Sequence, residues 1–331
     1  FSADEFVENL LTEGSKIACD DTSAIFNNSL HVPYFYNEEM FKNGQRFFRR
    51  NMFGLFLSKF MGLVILLTVP TSLKILIMTN MSSTNLTAYR RYVATIFHMC
   101  LWYDENFKPG SRSWESLFKV RSMHNSASKK NYSRMNFRIS QMDMALTQFG
   151  FMGFGLVRKR MMGIHDVTDA ELKGFVHLWR TVGYILGIED RFNICRESLK
   201  ETQEICNLLI EKVFLHHLEQ PPREFYSMSR ALVGGMWPMN PFLQYDVFLL
   251  YLRMTVDNSQ DTKTQPCFKD LGVRGKIKLY VIFYTLWVLQ YNVFRKFYNY
   301  VLVVTLWLMH NFPFLAYYEF GRKNSHVSIL S

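Results

Sequence analysis

The sequence predicts an all-α fold built as a single helical domain over residues 1–331, and three observations predict it. The apolar segments are long and recur with helical rather than alternating spacing. Only 17 Gly and nine Pro punctuate the chain, and the Gly-Pro-rich turns of an all-β protein at regular short intervals are missing. Polar residues followed three positions later by an acid stand just before apolar runs, which is how helices begin. The length allows one large core, and no repeat, low-complexity tract or linker divides it.

Taken in order, residues 1–50 are polar and mixed, with Asp4 to Leu11 reading as a short amphipathic helix. Met52 to Met78 is strongly apolar, but its longest charge-free run, Phe60 to Leu73, has fourteen residues. That is short of the roughly 18 to 20 needed to span a bilayer, so it reads as a core helix kinked or ended near Pro70. Arg90 to Tyr103 leads through "KPGSRSW" into a helix carrying Leu117, Arg121, His124 and Ser128 on one face, with Trp114, Phe118, Val120 and Met123 over much of the rest. That helix is expected to be buried nearly all round, which leaves Arg121 and His124 in need of partners. A basic, polar link follows from Lys129 to Arg138.

Ser140 with Asp143, and Thr168 with Glu171, carry the capping-box spacing and open the next two helices. In the first, "GFMGFG" from Gly150 to Gly155 reads as close helix packing. In the second, His177 shares a face with Gly174, Thr181 and Tyr184, which leaves space for something flat. Apolar C-terminal helices are expected over 276–320. They contain a charge-free stretch of twenty-two residues, Phe297 to Tyr318, interrupted by Asn299, His310, Asn311 and Pro313. These helices are expected to complete the core and lie partly on a membrane, with a true transmembrane helix as the alternative.

The net charge of +10 is scattered, without a basic helix or zinc-finger spacing, so it points away from nucleic acid and towards an anionic membrane surface. Five cysteines without a CxxC make no disulfide scaffold; in a secretory compartment Cys195 and Cys206 would be the pair. Sequons at Asn27, Asn80, Asn85 and Asn131 permit that compartment. The chain starts at Phe1 rather than Met, which leaves room for an upstream signal or anchor.

No phosphate loop, dinucleotide turn, G-x-S-x-G or H-E-x-x-H occurs. The imidazoles on long apolar helices are His124 and His177, with His98 behind them. In an aromatic-rich helical chain they suit haem, which needs an axial imidazole, apolar walls and cations for its propionates. Arg121, Arg180 and Arg191 would supply the cations; without haem, Arg121 would pair with a carboxylate such as Asp143, itself otherwise a helix cap.

"KVRSMHNSAS", "ISQMDMALTQFGFMGFGL" and "FVHLWRTVGYILGIEDRFNIC", in that order, resemble the signatures of the family joining latex-clearing rubber oxygenases to ER-bound oxygenases of fungal meroterpenoid pathways. The resemblance runs from about Arg90 to Cys206. It implies a globin-like all-α core with extra N- and C-terminal helices, haem b as cofactor, and O₂-dependent cleavage of an isoprenoid double bond at the endoplasmic reticulum. By the same resemblance Arg121 lies in the haem pocket, His124 stands where rubber-cleaving members carry a distal lysine, and Asn125 replaces a neighbouring threonine. Arg180, Thr181 and Tyr184 would line the cofactor beside His177.

One departure matters. Rubber-cleaving members place a proximal histidine near the position of Phe149, and no His lies between Ser140 and Ile164. Either His177 takes the proximal role, or His124 is the sole axial ligand, or haem is lost and the cavity binds a lipid. The expected activity is therefore a haem-dependent oxygenase acting on an isoprenoid or other unsaturated lipid. A non-catalytic lipid or terpenoid carrier and a peroxidase- or isomerase-like haem activity remain as rivals.

Overall fold

The computed structural model describes residues 1–20, 31–259, 261, 262, 265 and 267–330; the sequon at Asn27 lies outside them. Capping chemistry sets most helix starts. Ser2 opens α1 (Ala3–Thr12), and Asn37 opens α2 (Glu38–Arg50), whose first turn is acidic and whose last turn is basic, as the helix dipole favours. The apolar run forms α3 (Met52–Leu66) and α4 (Pro70–Thr79), bent by 92° with Pro70 at the first turn of α4. Thr84 and Ser111 cap α5 (Asn85–Asp104) and α6 (Arg112–Met135). Both expected capping boxes form: Ser140 with Asp143 at α7 (Gln141–Val157), and Thr168 with Glu171 at α8 (Asp169–Ile185).

The remainder is helical as well. It comprises α9 (Leu199–Leu209), a widened turn over Ile210–Leu215, α10 (His216–Glu219), α11 (Phe225–Gly235), α12 (Tyr245–Val256), α13 (Cys267–Asp270), α14 (Val273–Val288), α15 (Asn292–Asn311), α16 (Phe314–Phe320) and α17 (Arg322–Ser325). No strand forms among the described residues; Ala18 and Ser140 make an isolated backbone bridge that pins the N-terminal segment to the start of α7.

Two close crossings organise the core. On α3, Gly62 meets Gly150 of α7 so tightly that a Cβ on Gly62 would overlap the Gly150 carbonyl, and Gly155 lies against Leu55 and Ser58, so two glycines of "GFMGFG" serve helix packing while Gly153 faces the Phe149 ring of its own helix. On α2, Gly44 meets Gly174 of α8, where a Cβ would come within 2.5 Å of the Gly174 oxygen. The space expected beside His177 at Gly174 is therefore filled by the backbone of α2.

Three expectations change, and one reading holds, that the cysteines make no disulfide scaffold. Helix α6 is buried only along a stripe containing Leu117, Arg121 and Ser128; Phe118 and Met123 are exposed, because the neighbouring elements cover a single side of it. The basic link expected from Lys129 is the continuation of α6, which runs to Met135. Cys195 and Cys206 are free, buried thiols, each pushed up by burial. Asn131 is buried, so the folded chain offers no acceptor for a glycan there.

Candidate active site

Helical spacing puts His177, Arg180, Thr181 and Tyr184 on neighbouring positions of α8, and the segment ahead of α2 closes over them. The Phe35 ring stands edge-on to His177 at 6.2 Å and to Tyr184 at 5.5 Å, and the Arg180 guanidinium lies over it at 4.0 Å. Arg180 is ion-paired with Asp190 at 3.2 Å, and the Tyr34 hydroxyl donates to the same carboxylate. Thr181 donates its hydroxyl to the His177 carbonyl, one turn back. The Asn37 backbone N–H donates to His177 Nε2 at 3.0 Å. That bond occupies the Nε2 lone pair and requires the neutral tautomer with the proton on Nδ1. Burial first, then Arg180, pushes the His177 pKa down to about 4, in agreement with that state.

Arg121 connects the two candidate helices. Its Nη1 donates to the carbonyl of Ile185 at 2.9 Å, so a buried cation satisfies the C-terminal end of α8 and complements its dipole. Asp143 is held elsewhere, accepting from the Ser140 N–H and hydroxyl and from Thr71, and so acts as the helix cap.

His124 and Asn125 lie one turn beyond Arg121. His124 Nδ1 and Asn125 Oδ1 are both buried without a hydrogen-bond partner, while other parts of the two side chains keep accessible surface. Burial first, then the charge of Arg91, lowers the His124 pKa to about 4. Both residues are half-buried, at the edge of the stripe that α6 turns to the core. The His124 imidazole is neutral at pH 7, as a metal ligand must be, and its Nδ1 is enclosed by protein without a hydrogen-bond partner.

The third imidazole is satisfied. His98 Nδ1 shares a 2.7 Å hydrogen bond with the Ser116 hydroxyl, which also accepts from Trp102 Nε1. His98, His124 and His177 thus sit in three different surroundings. At the position where the sequence departs from its resemblance, Phe149 is fully buried against Phe154 and Phe214.

One polar residue in the core escaped the sequence reading. Lys59 of α3 is 2% exposed and its Nζ has no hydrogen-bond partner, with the Phe151 and Phe56 rings 5.3 and 5.7 Å away. Burial pushes its amine down to about 7. The only signal in the sequence was a single lysine inside an otherwise apolar run, where it serves equally well to end a membrane span.

Residues 46–254 match the family described as "ER-bound oxygenase mpaB/B'/Rubber oxygenase, catalytic domain". The chain belongs to this family. Membership places it among oxygenases and supports an oxidoreductase activity using O₂ and an organic substrate. Its fold is similar to a solved structure titled "Structure of Latex Clearing Protein LCP in the closed state", with a TM-score of 0.50 and 15% identity over 81% of this chain and 76% of that one. At that identity the likeness establishes the shared all-α fold. No curated protein sequence gives a significant match.

Proposed function

We propose that this member of the family is a haem-dependent oxygenase that cleaves a double bond of an isoprenoid or other unsaturated lipid, working at the endoplasmic-reticulum membrane. The observation that carries the proposal is His124: a neutral imidazole on α6 whose buried Nδ1 has no hydrogen-bond partner. Among the described residues no three His, Cys, Asp or Glu gather to hold a bare metal ion. A porphyrin brings four nitrogens of its own and asks the protein for one imidazole, so His124 fits as sole axial ligand. His177 does not fit while Asn37 occupies its Nε2.

Haem, when bound, supplies the O₂ and one-electron chemistry. The chain supplies position. Arg121 holds α6 to the end of α8 and so fixes where His124 points. The Asn125 carbonyl oxygen, also unused, is an acceptor for a polar hydrogen beside the reacting centre. Arg91, one helix away, offers positive charge near His124 for a propionate.

A non-catalytic lipid carrier is the second reading. It is supported by Phe149, a buried ring where the resemblance sets a proximal histidine, and by the occupied lone pair of His177. Oxygen uptake separates the two. With a polyisoprenoid and haem-loaded protein, the oxygenase reading expects O₂ consumption matched by carbonyl products and lost in His124→Ala. Retention of the lipid without O₂ uptake would replace it with the carrier.

A further inference from the structure

The described residues expose twenty-nine large hydrophobic side chains, and eighteen of them fall between Val273 and Tyr318. On α14 the bare positions recur at helical spacing, among them Ile277, Tyr284 and Trp287, and on α15 Phe297, Tyr300 and Trp307 repeat the pattern. The row continues through the bend between the helices: the Trp287 and Tyr291 rings are 5.6 Å apart, and Tyr291 and Phe294 6.4 Å. A surface of this size and aromatic content is far from the single scattered apolar residues of an ordinary exterior.

The opposite sides of the same helices are fastened to the body. Asn299 accepts from the Phe53 N–H and donates to the carbonyls of Arg49 and Arg50, and His165 Nε2 is hydrogen-bonded to the Leu286 carbonyl. Leu279, Leu286 and Leu302 are buried. Among the described residues no single helix is long and apolar enough to cross a membrane, and α14 and α15 are bent by 117° where they join. The other bent pair, α3 with α4, also combines apolar residues, but its side chains are mostly buried, as a core requires.

Charge identifies the occupant. No Asp or Glu occurs between Asp270 and Glu319, whereas Arg274, Lys276, Lys278, Arg295 and Lys296 do. Of these Arg274 and Lys296 are exposed beside the aromatic row. An apolar, aromatic face with cations and no carboxylates is complementary to an anionic lipid leaflet. A second copy of the chain would bring the same cations against themselves.

We infer that α14 and α15 form a monotopic membrane-docking surface, lying in the plane of one anionic leaflet with the Trp287–Trp307 side in the lipid. This does not rest on the oxygenase reading and is tested without turnover. Full-length protein is floated with vesicles of phosphatidylcholine alone or mixed with phosphatidylserine, and tryptophan quenching by brominated acyl chains reports depth. Expected are binding to the anionic vesicles, release by salt or carbonate, and quenching that falls in W287F/W307F. Reversal of charge in R274E/K296E is expected to weaken binding about tenfold or more. The exposed positions keep such variants folded, which circular dichroism checks. Failure to bind either vesicle, or a solution dimer that shields Trp287 from a soluble quencher, would overturn the inference. So would carbonate-resistant insertion with protease sites on both sides, which would mean a span.

Discussion

The Asn37 N–H and His177 Nε2, 3.0 Å apart, join the first residue ahead of α2 to the middle of α8 across 140 positions of sequence. The bond gives His177 a structural use and leaves His124 as the imidazole with a free nitrogen. Burial of His177, with Arg180 beside it, also makes the protein sensitive to acid.

Folded His177 and His98 bind protons with pKa values near 4, against 6.5 for the ordinary group, chiefly because both are buried. The unfolded chain therefore takes up protons first as pH falls. Stability is expected to be full above about pH 6.5 and to decline towards pH 4, by at most about 1.4 kcal/mol per pH unit for each histidine. Denaturant titrations across this range check it. A His177→Gln variant is expected to show a shallower decline; an unchanged slope would contradict the assignment.

Arg121→Met removes a buried, charged donor and leaves the Ile185 carbonyl without it. The expected loss is about 1.5–3 kcal/mol of stability, read as a lower midpoint in urea with an unchanged m-value. If His124 is oriented through this link, haem retention should fall as well, and Arg121→Lys should restore part of it.

Gly62→Ala places a methyl group against the Gly150 backbone, which cannot move aside without parting α3 from α7. The variant is expected to lose at least about 1–3 kcal/mol or fail to fold. Gly272→Ala, with nothing within 4 Å of the added carbon, is the matched control and should behave as wild type. Thermal melts distinguish them.

Lys59→Met replaces an unpartnered buried amine by an apolar chain of similar length. Its folded pKa of about 7 lies below the ordinary 10.5, so the lysine weakens the fold progressively as pH falls from about 10.5 to 7. The variant is expected to be more stable than wild type at pH 7 and to lose that part of the pH dependence. A less stable variant would show that Lys59 has a favourable interaction in the fold.

Much of this architecture was legible because its causes are local. Ser140 with Asp143 and Thr168 with Glu171 mark helix starts within four residues, and Pro70 can be read as a break from its own ring. The face containing Leu117, Arg121 and Ser128 followed from helical spacing alone. The site was less legible because its decisive contacts are distant. Nothing near His177 announces that Asn37 will take its lone pair, or that the backbone at Gly44 will fill the space beside Gly174. The outward Phe118 and Met123 made α6 look buried, since a periodic pattern cannot say how many neighbours a helix will have.

The central claim is that His124 alone can serve as axial ligand, and the ultraviolet-visible spectrum tests it most directly. Protein from a haem-supplemented host should show a Soret band that disappears in His124→Ala and persists in His177→Ala. A wild-type protein without a Soret band, or a band lost only in His177→Ala, would contradict it.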